Sequence, residues 1–286
     1  MILFDFSQLV HQAVHANFAR TKETITEQFL KHIILSTIFA VKKKVKSKDD
    51  IILCCDGKHY WRKDKFPYYK ANRKLKPKDP NGVNWDELYP VINAIKDDFK
   101  NNLPIKVLEV DKAEGDDLIY FLSMYIREPI IIVSSDRDFL QIQEFRKDVK
   151  QFSAIQNKFL NVTEHDSLLE KVLAGDTGDG IPNYLSDDDT FVNTEKKQKA
   201  FTKKLRESAI AITNGYQNPE LIVKSLTELE NFNRNKSLID LREIPEDILN
   251  LIRDKYEELD ISKRKWFNYC VINKLVQLME SQPWTK

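Results

Sequence analysis

The sequence predicts an α/β domain with a central, mainly parallel sheet flanked by helices, followed by a helical region. In the first half of the chain, short apolar runs alternate with longer segments whose apolar residues recur at helical spacing. This alternation is typical of strand–helix–strand units. The short runs are apolar throughout, as expected for strands buried on both faces of a parallel sheet. We therefore predict two domains, at residues 1–160 and 161–286.

The predicted elements follow a regular order. Strands rich in Ile, Leu and Val are predicted at 2–4, 50–55, 105–110 and 129–135, and a further strand pair could lie within 150–162. Helices are predicted at 23–45, 84–102 and 115–126, and the first ends in lysines, which suit the C-terminal end of a helix. The later helical segments are 164–175, 194–215, 219–233, 243–259 and 263–282.

Composition argues against several classes of protein. No apolar run approaches the roughly 20 residues of a membrane span, and the N-terminal segment lacks the features of an export signal. Two of the three cysteines are adjacent within an apolar run and none forms a CxxC motif, so we interpret them as reduced core residues. These observations favour a cytoplasmic protein.

Acidic residues follow every predicted strand of the first domain. They are Asp5, Asp56, Glu114, Asp116, Asp117, Asp136 and Asp138. The carboxyl ends of parallel strands share one edge of a sheet, so these carboxylates are expected to converge there. The motif GDTGDG presents Asp176 and Asp179 at the start of the helical region.

Such a concentration of negative charge requires compensation. Two unit charges about 4 Å apart repel by roughly 4 kcal/mol at an effective dielectric constant near 20, and several such pairs would rival a typical net stability of about 5–15 kcal/mol. A single aspartate after a strand is usually a cap or turn residue, but acids at four strand ends favour bound divalent cations. Ligation by carboxylates alone suits Mg²⁺ or Mn²⁺, and two such ions about 4 Å apart are a known arrangement for cleaving phosphodiesters. We predict that Asp136 and Asp138 are metal ligands.

Basic residues concentrate in two further segments. Residues 58–79 contain nine Lys and Arg against two Asp, with Tyr60, Trp61, Tyr68 and Tyr69 between them. This composition suits a single-stranded nucleic acid, and Lys70 and Arg73 could stabilise charge on a phosphate; the alternative is a solvated, mobile loop. Residues 196–206 contain six bases and no acid, which suits contacts to a duplex backbone or a solvated helix face. The lysines at 42–48 are interpreted as a helix end, and the acidic run 187–189 as solvated.

Five motifs in this order resemble the structure-specific 5′-nucleases, the flap endonuclease family. They are ILFDFS, CCDGK…WR…YYKANR, AEGDDLI, SSDRDFLQI and GDTGDGIPN. The stretch FNRNKSLIDLREIPEDIL resembles the phage ribonuclease H (5′-3′ exonuclease) branch in particular. The resemblance implies a PIN-like (Rossmann-like) core, a helical arch within 58–90 and a helix–three-turn–helix-type element in the C-terminal region.

The resemblance also implies roles for individual residues. A first Mg²⁺ would be held by Asp5, Asp56, Glu114 and Asp116 with Asp117 as an additional acid, and a second by Asp136, Asp138 and Asp176 with Asp179 nearby; Mn²⁺ could substitute. Lys70 and Arg73 would act on the scissile phosphate together with the metal ligands Asp136 and Asp138. The expected nucleic-acid contacts are Arg62, Tyr69, Lys70, Arg73, Lys74, Lys203, Lys204 and Arg206.

The implied activity is metal-dependent hydrolysis of RNA–DNA hybrids, duplex DNA and 5′-flaps, which would remove RNA primers in lagging-strand replication. Expected partners are DNA with a 5′-flap, nick or fork, and RNA–DNA hybrid. The family resemblance also implies a single-strand-binding protein and a sliding clamp as partners, with the chain acting as a monomer in the cytoplasm of a bacterial host. The stretch GDGIPNYLSDDDTFVN lacks the second glycine hairpin of typical family members. Whether the chain has a potassium site is therefore left undecided, and residues 196–206 are expected to replace the hairpin in binding the duplex.

Two other functions are weighed against this one. A phosphatase of the haloacid dehalogenase type needs a second aspartate two residues after the first, but that position is Ser7. A nucleic-acid-binding protein with an inactive nuclease fold would be expected to have lost several acids, but each expected carboxylate is present. Both alternatives are therefore disfavoured.

Overall fold

A computed structural model describes residues 1–21, 26–47, 50–75, 82–163, 166–213, 222–259 and 266–279. The chain forms two compact units. The first comprises Met1–Gly57, Asp79–Leu160 and Leu251–Lys286, and the second comprises Lys58–Lys78 and Asn161–Asn250. This grouping differs from the predicted domains in two places, because 58–78 belongs with the second unit and 251–286 with the first.

A six-stranded sheet forms the centre of the first unit. Its strands are β1 Ile2–Asp5, β2 Ile51–Cys55, β3 Lys106–Glu109, β4 Ile130–Val133, β5 Val149–Ser153 and β6 Lys158–Leu160. The order is β3-β2-β1-β4-β5-β6, with β6 alone antiparallel to its neighbour. Because β2 and β4 lie on opposite sides of β1, the strand order reverses there, which is where such sheets commonly form a ligand crevice.

Helices pack around this sheet. In the first unit they are α1 Phe6–Thr21, α2 Glu27–Lys44, α4 Trp85–Asn102, α5 Gly115–Tyr125, α6 Leu140–Phe145 and α11 Trp266–Ile272. The core includes Phe4, Ile34, Ile38 and Phe99, none of them accessible to solvent. No helix within the described ranges is long and apolar enough to span a bilayer.

A buried polar contact anchors α11 within the first unit. Tyr269 Oη donates to Asp98 Oδ2 at 2.5 Å, and Lys31 Nζ lies 2.9 Å from the same oxygen. These contacts join α2, α4 and α11. They account for the grouping of the C-terminal segment with the sheet rather than with the helices that precede it.

The second unit is helical. Its helices are α3 Trp61–Lys65, α7 Leu168–Ala174, α8 Lys203–Thr213 and α9 Leu226–Ile239, with a 3₁₀ helix at Ala71–Leu75; α10 Glu246–Glu257 crosses the boundary to the first unit. Phe66, Tyr69, Val172, Leu173 and Tyr184 belong to its core. The segment that follows β2 is therefore partly buried within this unit.

The predicted strands are confirmed to within a few residues, as is the additional strand pair. Two predicted helices begin seven or more residues later than expected. The helix predicted from 194 begins at Lys203, because the preceding chain is bonded elsewhere: Asn183 Nδ2 donates to Lys199 O at 2.7 Å, and Lys199 N donates to Ser186 Oγ at 2.9 Å. The helix predicted at 219–233 begins at Leu226, where the Ser225 hydroxyl caps it.

The helix α1 is absent from the sequence prediction. Its sequence contains two phenylalanines and two histidines, and its apolar residues Phe6, Leu9, Val10, Ala13 and Val14 recur at helical spacing and are buried. Asp5 ends β1 and Phe6 begins α1 with no intervening loop. The helix therefore begins at the acidic end of the central strand.

Candidate active site

Acidic residues lie at the carboxyl ends of four adjacent parallel strands. Asp5 is the last residue of β1, Asp56 follows β2, Glu114 to Asp117 follow β3 at the start of α5, and Asp136 follows β4. These strands are hydrogen-bonded in the order β3-β2-β1-β4. The sheet thus brings acids from four segments to one edge, which we call the acidic edge.

Asp5 occupies the centre of the acidic edge. Its Oδ1 accepts from Gln8 N at 2.9 Å and its Oδ2 from Ser134 Oγ at 3.0 Å. The pKa of this carboxyl is raised to about 6, chiefly by burial and also by the charges of Asp56 and Asp136, against the lowering effect of those two hydrogen bonds. The negative form of Asp5 is therefore electrostatically disfavoured in the absence of a cation.

Asp56 is held by donors from two other segments. Ser7 Oγ donates to Oδ2 at 2.6 Å, and Gly115 N, at the N-terminus of α5, donates to Oδ1 at 2.7 Å. A Cβ at position 115 would lie 3.2 Å from that Oδ1, so glycine permits the close approach. At Gly57 a Cβ would meet Val110 O at 2.2 Å. Glycine is therefore needed at 57 to pack the chain after β2 against the end of β3.

The acids at the start of α5 differ in exposure. Glu114 and Asp117 are buried, whereas Asp116 is partly exposed. Glu114 N donates to Asp117 Oδ2 at 2.9 Å, which closes a capping box at the helix start. Asp117 thus has a structural role in addition to its predicted role as a metal ligand.

Of the two aspartates after β4, Asp136 caps a short 3₁₀ helix, Arg137–Phe139, and Asp138 lies within it. Asp136 Oδ1 accepts from Asp138 N at 3.0 Å, so its side chain caps this turn while remaining exposed. Asp138 is partly exposed. Both carboxylates accordingly lie at the surface of the acidic edge.

Two glutamines that the sequence analysis missed support this edge. Gln151 Nε2 donates to Ser134 O at 2.9 Å and Asp136 O at 2.5 Å, and Gln8 Oε1 accepts from Ser135 N at 2.5 Å. Gln151 is fully buried within β5. A glutamine within the predicted strand, and the two serines after β4, are the signals that could have identified them.

Within the described parts of the chain, no group of three or more Asp, Glu, His or Cys side chains is arranged to hold a metal ion. The carboxylate oxygens of Asp5, Asp56 and Asp136 are instead engaged by backbone N–H and hydroxyl donors. The structure therefore brings these acids to one edge of the sheet, but their described side chains do not form a metal coordination sphere.

The other two predicted ligands lie in the second unit. Asp176 and Ile181 exchange backbone hydrogen bonds of 2.8 Å, which closes the loop of residues 176–181. Asp179 accepts from Tyr69 Oη at 2.9 Å and pairs with Arg73 Nη2 at 2.6 Å, with Lys70 Nζ 3.7 Å away. Asp179, a predicted metal ligand, thus contacts three residues that were predicted to bind nucleic acid.

Two residues that were predicted to contact nucleic acid are buried, so the prediction is corrected for them. Arg62 is 4% exposed, and its Nε donates to Leu238 O at 2.9 Å within the second unit. Tyr69 is 3% exposed and belongs to the core of that unit. The guanidinium of Arg62 and the ring of Tyr69 are therefore not presented to a ligand, because they pack the segment after β2 onto the helices.

The remaining predicted contacts lie at the surface. Lys74, Lys203 and Lys204 are exposed. Lys203 Nζ lies 3.7 Å from Glu207, and the half-exposed Arg206 pairs with Glu170 at 2.7 Å. These positions suit a polyanion, although Arg206 already has an acidic partner.

The acidic run at 187–189 is ion-paired rather than merely solvated as predicted. Lys196 Nζ lies 2.9 Å from Asp187 and 2.7 Å from Asp189, and Arg234 pairs with Asp188. The hydrogen bond from Lys196 lowers the pKa of Asp189. Lys196, the first basic residue of 196–206, is thus ion-paired within the chain.

Comparison with known proteins extends over nearly the whole chain. A family model described as the N-terminal, resolvase-like domain of 5′-3′ exonuclease matches residues 1–172, and one described as the C-terminal part of T4 RNase H matches 162–283. The chain is 30% identical to Ribonuclease H of Enterobacteria phage T4 over 292 aligned positions, covering 98% of this chain and 93% of the relative. It is 31% identical to flap endonuclease Xni of Shewanella sp. (strain MR-4), covering 43% of this chain and 47% of that protein.

Solved structures share the fold. A phage T5 flap endonuclease, crystallised as a complex with DNA and metal ions, superposes with a TM-score of 0.64 at 17% identity, covering 90% of this chain and 97% of the other. The same phage protein co-crystallised with metal ions gives a TM-score of 0.62 at the same identity and covers 90% of this chain and 98% of the other.

With these relatives, the α/β fold and its acidic edge define a hydrolytic nuclease, a structure-specific 5′-nuclease with a PIN-like core. The predicted resemblance is confirmed. The chain belongs to the 5′-3′ exonuclease family, in the branch that includes phage T4 Ribonuclease H.

Proposed function

We propose that this 5′-nuclease depends on divalent metal ions and hydrolyses phosphodiesters of RNA–DNA hybrids, duplex DNA and 5′-flaps, so that it removes RNA primers during lagging-strand replication. The observation that carries the proposal is the presence of acids at the carboxyl ends of four adjacent parallel strands. The relative named Ribonuclease H supports the RNA-containing substrate. The relative named flap endonuclease supports the 5′-flap.

The residues of the acidic edge fit hard divalent cations. Every candidate ligand is a carboxylate, the donor that Mg²⁺ and Mn²⁺ prefer, and the pKa of Asp5 shows that negative charge there lacks compensation. Asp5, Asp56, Glu114 and Asp116 would hold a first Mg²⁺, and Asp136 and Asp138 would contribute to a second. Such ions, when bound, lower the pKa of water and neutralise charge on a phosphate. The assignment of Asp176 and Asp179 as ligands stays a prediction.

The chain's own residues would orient the substrate. Lys70 and Arg73 would contact the scissile phosphate, and Lys74, Lys203 and Lys204 would bind the nucleic-acid backbone through charge. Ser7 and Gly115 would hold Asp56 in a fixed rotamer, since both donate to its carboxylate. A single-strand-binding protein and a sliding clamp as partners, and action as a cytoplasmic monomer, stay predictions from the family resemblance.

The proposal is tested with labelled 5′-flap DNA and a labelled RNA–DNA hybrid, with Mg²⁺ or with EDTA. Wild-type protein is expected to cleave both substrates only with Mg²⁺. Asp136→Asn is expected to abolish cleavage while leaving DNA binding in EDTA unchanged, because it replaces a predicted metal ligand by an amide of nearly the same size and shape.

A matched control is Asp97→Asn, an acid-to-amide change at an exposed position of α4, which should cleave normally. Cleavage by wild type in EDTA would contradict metal dependence, and near-normal cleavage by Asp136→Asn would contradict the ligand assignment. Binding without cleavage by wild type under all conditions would favour the inactive nucleic-acid-binding alternative. Release of phosphate from monoesters alone would favour the phosphatase.

A further inference from the structure

We propose that Asp179 is a positioning residue for Lys70 and Arg73 rather than a metal ligand. This inference rests on the proposed function, because it assumes that Lys70 and Arg73 contact the scissile phosphate. It concerns two segments of the second unit: the arch motif, residues 68–73, and the acidic loop, residues 176–181.

The carboxylate of Asp179 contacts three side chains of the arch motif. Arg73 Nη2 donates to Oδ1 at 2.6 Å, Tyr69 Oη donates to Oδ2 at 2.9 Å, and Lys70 Nζ lies 3.7 Å from Oδ1. Charge-assisted bonds of this length are among the stronger hydrogen bonds in proteins. One carboxylate thus fixes two cations and a buried phenol at once.

Three hydrogen bonds to backbone carbonyls hold the two segments together independently of that carboxylate. Lys70 N donates to Asp179 O at 2.7 Å, Asn72 Nδ2 to Thr177 O at 2.7 Å, and Arg73 Nε to Gly178 O at 3.1 Å. Because these bonds do not involve the Asp179 side chain, replacing it should loosen the cations without detaching the loop.

Lys70 is held in an uncommon conformation at this contact. Its φ is 58°, in the left-handed region that a lysine seldom adopts, and the bond from its N–H to Asp179 O supports that conformation. Gly180 has a φ of 71°, and a Cβ there would lie 3.0 Å from Asn72 Oδ1 and 3.1 Å from Tyr68 O. Such conformations persist where the surroundings determine them, and they concentrate at functional sites.

The charges argue against a metal ion on Asp179. A divalent cation on its carboxylate would be adjacent to the guanidinium of Arg73, 2.6 Å from Oδ1, and would be repelled by it. Asp176 differs, since the ion pair that it makes with Lys171 is longer, with Nζ 3.7 Å from Oδ2. Lys70 and Arg73 carry two positive charges against the one negative charge of Asp179. The arch motif therefore keeps a net positive charge that can bind a phosphate.

The test compares Asp179→Asn, Asp179→Glu, Arg73→Gln and the double variant Asp179→Asn/Arg73→Gln. Asp189→Asn is the matched control, because Asp189 is also ion-paired to a lysine of the second unit. Three quantities are measured: the kcat/KM for 5′-flap cleavage and its half-saturating Mg²⁺ concentration, the number of Mn²⁺ ions bound without substrate, and the rate of tryptic cleavage after Arg73.

Asp179→Asn is expected to lower kcat/KM about tenfold, the effect of losing roughly one charge-assisted hydrogen bond. Its half-saturating Mg²⁺ concentration and its Mn²⁺ count should equal those of wild type, and trypsin should cut after Arg73 faster. Asp179→Glu keeps the charge and should lose less. The double variant should be no slower than Arg73→Gln, because the two residues act through one contact.

Loss of one bound Mn²⁺ in Asp179→Asn, or a raised half-saturating Mg²⁺ concentration with unchanged tryptic cleavage, would overturn the proposal. Fully additive losses in the double variant would also overturn it. If Asp179→Asn does not fold, Tyr69→Phe removes one donor to the same carboxylate and should speed tryptic cleavage after Arg73 without changing the Mn²⁺ count; an unchanged cleavage rate would count against the proposal.

Failure of the proposed function gives a different pattern. In that case wild-type protein would cleave no substrate, while tryptic protection of Arg73 and its loss in Asp179→Asn would still be observed. The protease and Mn²⁺ measurements therefore decide the role of Asp179 without reference to catalysis.

Discussion

Replacement of Asp5 by Asn is expected to stabilise the metal-free protein at neutral pH. Burial, with added repulsion from Asp56 and Asp136, raises the pKa of the Asp5 carboxyl from 3.8 to about 6. One pKa unit corresponds to about 1.4 kcal/mol, so ionised Asp5 costs the folded state about 3 kcal/mol. An amide removes this cost because it carries no charge.

Part of that gain is offset by lost hydrogen bonding. The two oxygens of Asp5 accept from Gln8 N and Ser134 Oγ, but an amide has only one oxygen. One bond must be rearranged, at a cost of about 1 kcal/mol. The net stabilisation expected at pH 7.5 is therefore about 2 kcal/mol.

The sign of the effect depends on pH. A carboxyl with a raised folded-state pKa contributes stability that is fully present below its unfolded pKa and lost as pH rises through its folded pKa. Wild-type stability should therefore fall between about pH 4 and pH 6 as Asp5 ionises, and Asp5→Asn should lack this fall. Near pH 4 the variant should be no more stable than wild type.

The assay is urea unfolding in EDTA, followed by far-ultraviolet circular dichroism, at pH 4 and pH 7.5. Asp97→Asn is the control, because this exposed acid lies on α4. Equal stability differences between wild type and Asp5→Asn at the two pH values would refute the electrostatic reasoning. So would a destabilised variant at pH 7.5.

Three further outcomes are expected. Mg²⁺ should raise the Tm of wild type more than that of Asp136→Asn, because an ion that binds only the folded state stabilises it; equal shifts in thermal scans would contradict this. Gly57→Ala should destabilise by about 3 kcal/mol in urea and impair cleavage, since its Cβ would lie 2.2 Å from Val110 O; normal stability would show that the chain after β2 can shift freely. Arg146→Ala should lower stability by about 2 kcal/mol, because this guanidinium donates to Ser123 O at 2.5 Å in the last turn of α5 and to Glu128 O at 2.7 Å beyond that helix; an unchanged melting curve would rule out that role.

The sheet and its acidic edge could be predicted because both follow from local patterns. Runs such as IILCC are buried at every position, and the residue after each run is placed by the direction of the strand alone. Parallel pairing then determines which ends meet. For this reason the convergence of Asp5, Asp56 and Asp136 required no knowledge of side-chain packing.

Contacts made by long side chains could not be predicted in the same way. Arg62 and Tyr69 are amphipathic residues in a basic segment, and composition alone could not show that they are buried. The pairing of Asp179 with Arg73 joins residues 106 positions apart. The late start of α8 likewise depends on side chains of Asn183 and Ser186 that bond to the backbone at Lys199.

The grouping of residues 58–78 with 161–250 makes the chain pass between the two units at 57–58, 78–79, 160–161 and 250–251. No single cut in the polypeptide releases either unit as a continuous piece. A fragment ending at residue 160 would keep Arg62 and Tyr69 but lose the helices that bury them, leaving apolar surface open to water and to aggregation. Deletion mapping of this enzyme would therefore report misfolding rather than the location of its activities, and point substitutions are the sound way to dissect it.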